Sequence, residues 1–303
     1  MKSSSKKLTV VLGPTAVGKT AYAIRLAKEA GSPIVNCDSR QIYKEFKIGT
    51  AVPSDEELAE VRHYLVRTHS ISEHYTAGMF ELEALALLDE LFKTHDRIVM
   101  CGGSGLYIDA LCNGLDDFPK ADLQLRDSLS ERLKNEGLES LVLQLKEIDP
   151  ESFDSIDLTN PQRVIRALEV TLQTGRKYSD WKTGDGGMPV KRRRFEIEKI
   201  GLNMDRDRLY NRINQRVDMM MEAGLLDEVR SLDHLRYVNG ELKSDLLHMP
   251  ALRTVGYREL FDYIDGKYDL ATAVDLIKRN TRHYAKRQLT WWGRDKSIKW
   301  ICL

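Results

Sequence analysis

Cysteine, net charge and long apolar runs are all scarce in this chain of 303 residues. The cysteines Cys37, Cys101, Cys112 and Cys302 are widely spaced, which excludes a disulfide-stapled mini-fold and leaves them reduced and structural. His63, His69, His74, His95 and His234 are isolated and lack metal-ligand spacing, so no zinc site is expected. No apolar stretch is long enough to span a membrane. Met1 to Lys7 is polar, and the run that follows, Leu8 to Leu12, is too short for a signal peptide, so a cytoplasmic protein is expected. Internal repeats and low-complexity tracts are also missing.

What remains is an ordinary globular composition, 42% hydrophobic and 30% charged, with Lys+Arg and Asp+Glu both at 46. The balance is not local. From Lys278 to Lys299 eight basic residues stand against one acid, Asp295, and a second basic run spans Lys191 to Arg194. Asp55, Glu56, Glu57 and Glu60 are among the offsetting acids. On charge alone, the C-terminal run suits a solvated helix face and a nucleic-acid surface equally well.

Leu8 to Leu12 is a continuous apolar run ending at Gly13, as in a strand buried on both faces of a parallel sheet. Ala23, Ile24, Ala27 and Ala30 follow at helical spacing, with Gly31 as the stop. Pro33 to Cys37 and Arg97 to Cys101 read as further strands, with a helix from Glu81 to Phe92 between them. This alternation predicts an α/β fold in which a parallel sheet is flanked by helices and binding occurs beyond the carboxyl ends of the strands. From Ala121 to Gly175 the periodicity is helical, and three helices are expected. Asn160, Pro161 and Gly175 punctuate the third. Thr174 to Pro189 reads as a loop and Phe195 to Leu202 as a strand returning to the sheet. The predicted organisation is a core of residues 1–114 and 190–303 with a helical insertion domain at 115–189.

Gly13-Pro14-Thr15-Ala16-Val17-Gly18-Lys19-Thr20 matches the phosphate-binding P-loop pattern and lies between a predicted strand and a predicted helix. Its backbone N–H groups and the helix N-terminus suit a diphosphate, Lys19 neutralises phosphate oxygens, and the Thr20 hydroxyl suits Mg²⁺. The acid expected at a strand end in a motor ATPase or GTPase has only a loose match, Asp38. Position leaves three roles open for Asp38: metal ligand, general base or helix cap. Gly102 to Tyr107 forms a second glycine turn. Gln162, Arg163 and Arg166 share a polar helix face opposite Val164 and Ile165, where arginines can pair with Glu169 or bind phosphate. Thr281 to Trp292 interleaves cations, aromatics and amides, a mixture suited to RNA phosphates and stacked bases or to an amphipathic helix with Tyr284 and Trp291 packed inward.

Taken together, these motifs make the chain similar to the bacterial tRNA dimethylallyltransferase (tRNA isopentenyltransferase) family. The blocks that carry the likeness are the P-loop, Asp38 to Tyr43, Ile48-Gly49-Thr50, Gly102 to Tyr107, Gln162 to Glu169, Leu209 to Arg216, Val255 to Glu259 and Thr281 to Trp291. Ser104 stands where the family usually has Thr, and Trp292-Gly293 where an aromatic and a basic residue are common.

The resemblance implies a P-loop NTPase-like core. It also implies transfer of a dimethylallyl group from dimethylallyl diphosphate to N6 of the adenosine just 3′ of the anticodon, with Mg²⁺ held near Thr20. In that reading Asp38 is the general base, and Lys19, Thr15 and Arg212 serve the diphosphate together with the rest of the P-loop. The tRNA anticodon stem-loop would be met by Asp38, Ser39, Arg40, Gln41, Ser104, Arg126, Gln162, Arg163, Val164, Ile165, Arg166, Arg282, Lys286, Arg287 and Gln288. No membrane partner is implied, and the acting unit is expected to be a monomer.

Overall fold

The computed structural model describes residues 6–182, 191–243, 246 and 249–303. In chain order these form β1 (Lys7–Leu12), α1 (Lys19–Ala30), β2 (Ile34–Asn36), α2 (Asp55–Glu60), β3 (His63–Tyr64), α3 (Ala77–Leu91), β4 (Arg97–Cys101) and α4 (Gly105–Asn113). Next come α5 (Leu123–Glu136), α6 (Leu138–Ile148), α7 (Pro150–Ser155) and α8 (Pro161–Thr174). The remainder is β5 (Glu196–Asn203), α9 (Arg206–Glu222), α10 (Leu225–Ser231), β6 (Tyr237–Val238), β7 (Glu241–Leu242), α11 (Tyr257–Ile264), α12 (Leu270–Trp292) and β8 (Lys299–Cys302). No helix among the described residues is long and apolar enough to cross a membrane.

Six strands form one sheet in the order β3-β2-β4-β1-β5-β8, and every adjacent pair is parallel. Its central strands are apolar on both faces because helices cover both: Leu8, Val10, Val11, Leu12, Ile98 and Met100 are fully buried. Ala23, Ile24 and Ala27 of the predicted stripe of α1 pack with Val11, Ile34, Val99 and Leu202 in one core cluster, whereas Ala30 at the helix end is only partly buried and lies outside it. The helix stops where Gly31 enters the left-handed region at φ 59°.

The chain divides into two compact units, Met1–Cys112 with Arg193–Leu303, and Asn113–Arg192. The second unit has its own core of Leu129, Leu141, Leu145, Val164, Ile165, Ala167 and Leu168. It contains four α-helices among the described residues rather than the three expected, the extra one being α7. Six residues are too few to show a period, although Asp149 caps α7 and Pro150 opens it. Part of the loop predicted over Thr174 to Pro189 lies outside the described residues; within the described part Ser179–Trp181 makes a single 3₁₀ turn.

Candidate active site

Because β2, β4 and β1 are neighbours, the segments leaving their carboxyl ends emerge side by side. These segments are the Asp38 turn, the second glycine turn and the P-loop. Gly18 sits at φ 104°, a left-handed conformation that lets the loop turn directly into α1. No acid occupies the first turn of α1 and no side chain caps it, so its N-terminal N–H groups are left for an anion. The Lys19 ammonium donates to the carbonyls of Gly13 and Pro14, each at 2.9 Å. Burial is the main reason its pKa falls to about 8, while the nearby Asp38 carboxylate works in the opposite direction.

Asp38 is anchored through one oxygen. Its Oδ1 accepts from the backbone N–H of Arg40 at 2.9 Å and, more weakly, of Gln41 at 3.4 Å. Its Oδ2 faces the second glycine turn, where a Cβ on Gly103 would lie 3.5 Å from Oδ2 and 3.8 Å from Lys19 Nζ. The carboxylate and the P-loop ammonium thus approach one point, and Gly103, having no side chain, lets the Gln288 amide pack there, its Nε2 2.6 Å from where a Cβ would lie. Ser104 ties the two turns together: its Oγ accepts from Ser39 N at 2.8 Å and donates to Ser39 Oγ at 2.9 Å.

Helix α9 closes the P-loop side. Arg212 Nε donates to the Ala16 carbonyl at 2.9 Å, and Arg216, one turn on, has Nη1 3.5 Å from Thr15 Oγ1. Burial, and more weakly Arg212, lower the Arg216 pKa, against the pull of Asp38. Arg216 is absent from the candidates that the sequence supplies, although its i+4 spacing from Arg212 is the signal for it. Tyr284 is a second omission. The expected inward packing of this residue on an amphipathic helix is packing against the site, with its hydroxyl 3.5 Å from the Gly103 carbonyl.

Two cavities meet here. One of about 470 Å³ is lined by Thr15, Lys19, Thr20, Asp38, Arg212 and Arg216, among others. The other, about 320 Å³, has an apolar wall of Ile213, Val217, Met220 and Leu225 and carries Arg253 and Arg287. Thr15, Asp38, Thr50, Arg216 and Tyr284 belong to both. Cys37, Cys101 and Cys112 are raised by burial, the last two to about 12, so these thiols stay protonated and inert.

Several residues expected on an RNA path do other work. Gln288 is 6% exposed, and its amide is spent within the protein. Gln41 lines the larger cavity, but its Nε2 donates to the carbonyls of Thr50 and Ala51. Arg282 is half-buried and donates to Asn214 Oδ1 at 2.7 Å. Lys286 and Arg287, by contrast, are exposed, although Arg287 also lines the smaller cavity and lies over the Tyr284 ring.

In the helical unit, Val164 and Ile165 are 0% and 2% exposed, so their side chains are core residues and not RNA contacts. Arg126 and Arg166 both bind the fully buried Glu169, at 2.6 Å and 2.8 Å, which is the ion-pair alternative. Gln162 and Arg163 remain on the surface of α8.

Comparison with known proteins adds an independent finding. A family model described as IPP transferase matches residues 41–295. The tRNA dimethylallyltransferase of Cytophaga hutchinsonii is 49% identical, the match covering 99% of this chain and 94% of that protein. tRNA dimethylallyltransferase 1 of Bacteroides thetaiotaomicron is 46% identical, with 97% and 91% covered. Among solved structures, the tRNA isopentenylpyrophosphate transferase of Bacillus halodurans aligns with a TM-score of 0.67 at 35% identity, covering 98% of this chain and 90% of that one. A eukaryotic dimethylallyltransferase acting on tRNA aligns with a TM-score of 0.80 at 25% identity, covering 98% and 74%.

Proposed function

The chain belongs to the IPP transferase family, and from that premise we propose that it moves a dimethylallyl group from dimethylallyl diphosphate to N6 of the adenosine immediately 3′ of a tRNA anticodon. It is a prenyltransferase acting on a tRNA adenosine. The observation that carries the assignment is the approach of Asp38 Oδ2 and Lys19 Nζ to one another beside Gly103, with Asp38 lining both cavities and Lys19 the larger.

The reaction asks for two things at that junction. As the allylic C1–O bond breaks, its electron pair leaves with the diphosphate, and the growing charge is met by Lys19, the P-loop N–H groups, Arg212 and Arg216. As N6 bonds to C1, the amine becomes acidic and Asp38 accepts its proton. The adenine must leave the anticodon-loop stack to reach the carboxylate.

Mg²⁺ belongs to the proposal. Thr20 lines the larger cavity beside Lys19, and its hydroxyl is a hard oxygen donor of the kind Mg²⁺ takes together with diphosphate oxygens. Bound there, the ion would add positive charge beside the departing diphosphate. For tRNA, the assigned contacts are Ser39, Arg40, Lys286 and Arg287 in the core and Gln162 and Arg163 in the helical unit. A monomer is the proposed acting unit, and the cytoplasm its compartment.

Incubation with labelled dimethylallyl diphosphate and unmodified tRNA, with and without Mg²⁺, followed by nucleoside analysis, tests the reading. N6-(dimethylallyl)adenosine at that position is the expected product. Its absence under conditions where a characterised relative makes it would refute the proposal.

A further inference from the structure

Gln288 stands in the most basic stretch of the chain, between exposed Lys286 and Arg287 on one side and Trp291 on the other. Helical geometry separates it from its charged neighbours. On α12, Tyr284 and Gln288 are four residues apart and point the same way, with Ala285 and Trp292 also buried, while Lys286 and Arg287 are exposed.

The buried amide makes two hydrogen bonds, each to a different loop of the site. Its Oε1 accepts from the Thr15 backbone N–H at 2.9 Å, and its Nε2 donates to the Gly103 carbonyl at 2.8 Å. Thr15 belongs to the P-loop after β1, and Gly103 to the turn after β4. The amide also reaches the reacting region: Nε2 would lie 2.6 Å from a Cβ on Gly103, the same point that Asp38 Oδ2 and Lys19 Nζ approach. An uncharged group that donates once and accepts once matches both partners. No other side chain of this length does so at neutral pH.

We propose that Gln288 is a positioning residue for the diphosphate cradle, fixing the P-loop at Thr15 against the Gly103 turn, and that it takes no direct part in RNA binding. The proposal rests on the reading of the P-loop as a diphosphate site. Its readout is therefore the binding of inorganic diphosphate, which is independent of whether prenyl transfer to tRNA occurs.

Gln288→Met keeps length and burial and removes both hydrogen bonds. Calorimetric affinity for inorganic diphosphate with Mg²⁺ should fall by about 10-fold or more, the scale of one or two missing buried hydrogen bonds. The KM for dimethylallyl diphosphate should rise and kcat should fall, with the Kd for tRNA changed by less than about twofold. Gln288→Glu provides the second arm. As a carboxylate it still accepts from Thr15 but opposes the Gly103 carbonyl, and on protonation it regains a donor. Its affinity deficit relative to wild type at the same pH should narrow as pH falls from about 8 to about 5, toward the carboxyl range. Diphosphate affinity in Gln288→Met equal to wild type, or a raised tRNA Kd with donor binding intact, overturns the assignment. So does a Gln288→Glu deficit that acidification leaves unchanged.

Discussion

The Glu228 carboxylate accepts a hydrogen bond from the Tyr257 hydroxyl on the same oxygen that accepts from the backbone N–H of Gly49, and its other oxygen accepts from the N–H groups of Lys47 and Ile48. One acid on α10 thus holds the loop that supplies Thr50 to the wall of both cavities. Glu228→Ala should leave these loop donors without a partner and cost about 1–3 kcal/mol of stability, with transfer slowed as the wall loosens. Tyr257→Phe, which removes one donor and leaves the loop attached, should cost about 1 kcal/mol. Urea unfolding of the two variants checks the order; equal losses would show that the loop is held by something else.

Lys19→Ala removes the P-loop cation and the hydrogen bonds it makes to Gly13 and Pro14. Transfer should fall on the order of 10²-fold or more, the loss expected for a preorganised charge at a leaving group. Steady-state kinetics with both substrates should show a large rise in the KM for dimethylallyl diphosphate. Wild-type turnover would end the P-loop assignment.

Asp38→Asn tests the carboxylate as a base. The amide oxygen can still accept from Arg40 N and Gln41 N, so the turn should stay in place, but it cannot take a proton at neutral pH. Single-turnover rates should drop by roughly 10²–10⁴-fold with tRNA affinity preserved. Recovery on raising Mg²⁺ would instead mark Asp38 as chiefly a metal ligand.

Replacing Lys286 and Arg287 together by Gln should weaken tRNA binding and flatten its salt dependence, by ~0.7 in the slope of log K against log salt for each phosphate no longer neutralised. Both residues are exposed, so folding should be unaffected; because Arg287 also lines the smaller cavity, Lys286→Gln alone is the variant expected to leave donor binding unchanged. A filter-binding series across salt concentrations is the check; an unchanged slope would return this face to ordinary solvation.

Glu198 on β5 lies between Lys7 of β1 and Lys299 of β8, and hydrogen bonds from Lys299 and then Lys7 lower its pKa from 4.5 to about 2. With the native pKa lowered, the stabilisation is present above about 4.5 and is lost as pH falls toward 2. Near-surface screening limits it to about 1 kcal/mol or less. The stability gap between wild type and Glu198→Gln should therefore be present at neutral pH and close during acidification. A gap independent of pH would assign the loss to packing.

The parts of the fold legible in the sequence are those with a repeating physical signal. The run Leu8 to Leu12, the P-loop and the stripe of α1 read directly because burial on both strand faces and on one helix face leaves two distinct periods. The edge strands β3 and β8 do not: His63–Tyr64 is two residues long, and Lys299–Cys302 is largely exposed. In the site, Lys19, Thr20 and Asp38 carry their chemistry in a local motif or at a strand end. The roles of Gln288, Tyr284 and Glu228 depend on pairing across long stretches of chain, as between Glu228 and Ile48, 180 residues apart. Gln288 lies in a basic run and reads with its neighbours, although its burial sets it apart. Val164 and Ile165 show the reverse error, since helical spacing already puts them on the apolar side.

Strand order also sets a ruler. β4 lies between β2 and β1, so the Asp38 strand and the P-loop strand are separated by two strand spacings, roughly 10 Å at the usual interval. That interval is a property of backbone hydrogen bonding and cannot be stretched by changing side chains. Variation within this architecture therefore has a fixed component and an adjustable one. The separation between the strands bearing the acid and the phosphate loop is inherited with the sheet, whereas the room above it is bounded by side chains of α9 and α12, which can change one at a time without re-registering any strand.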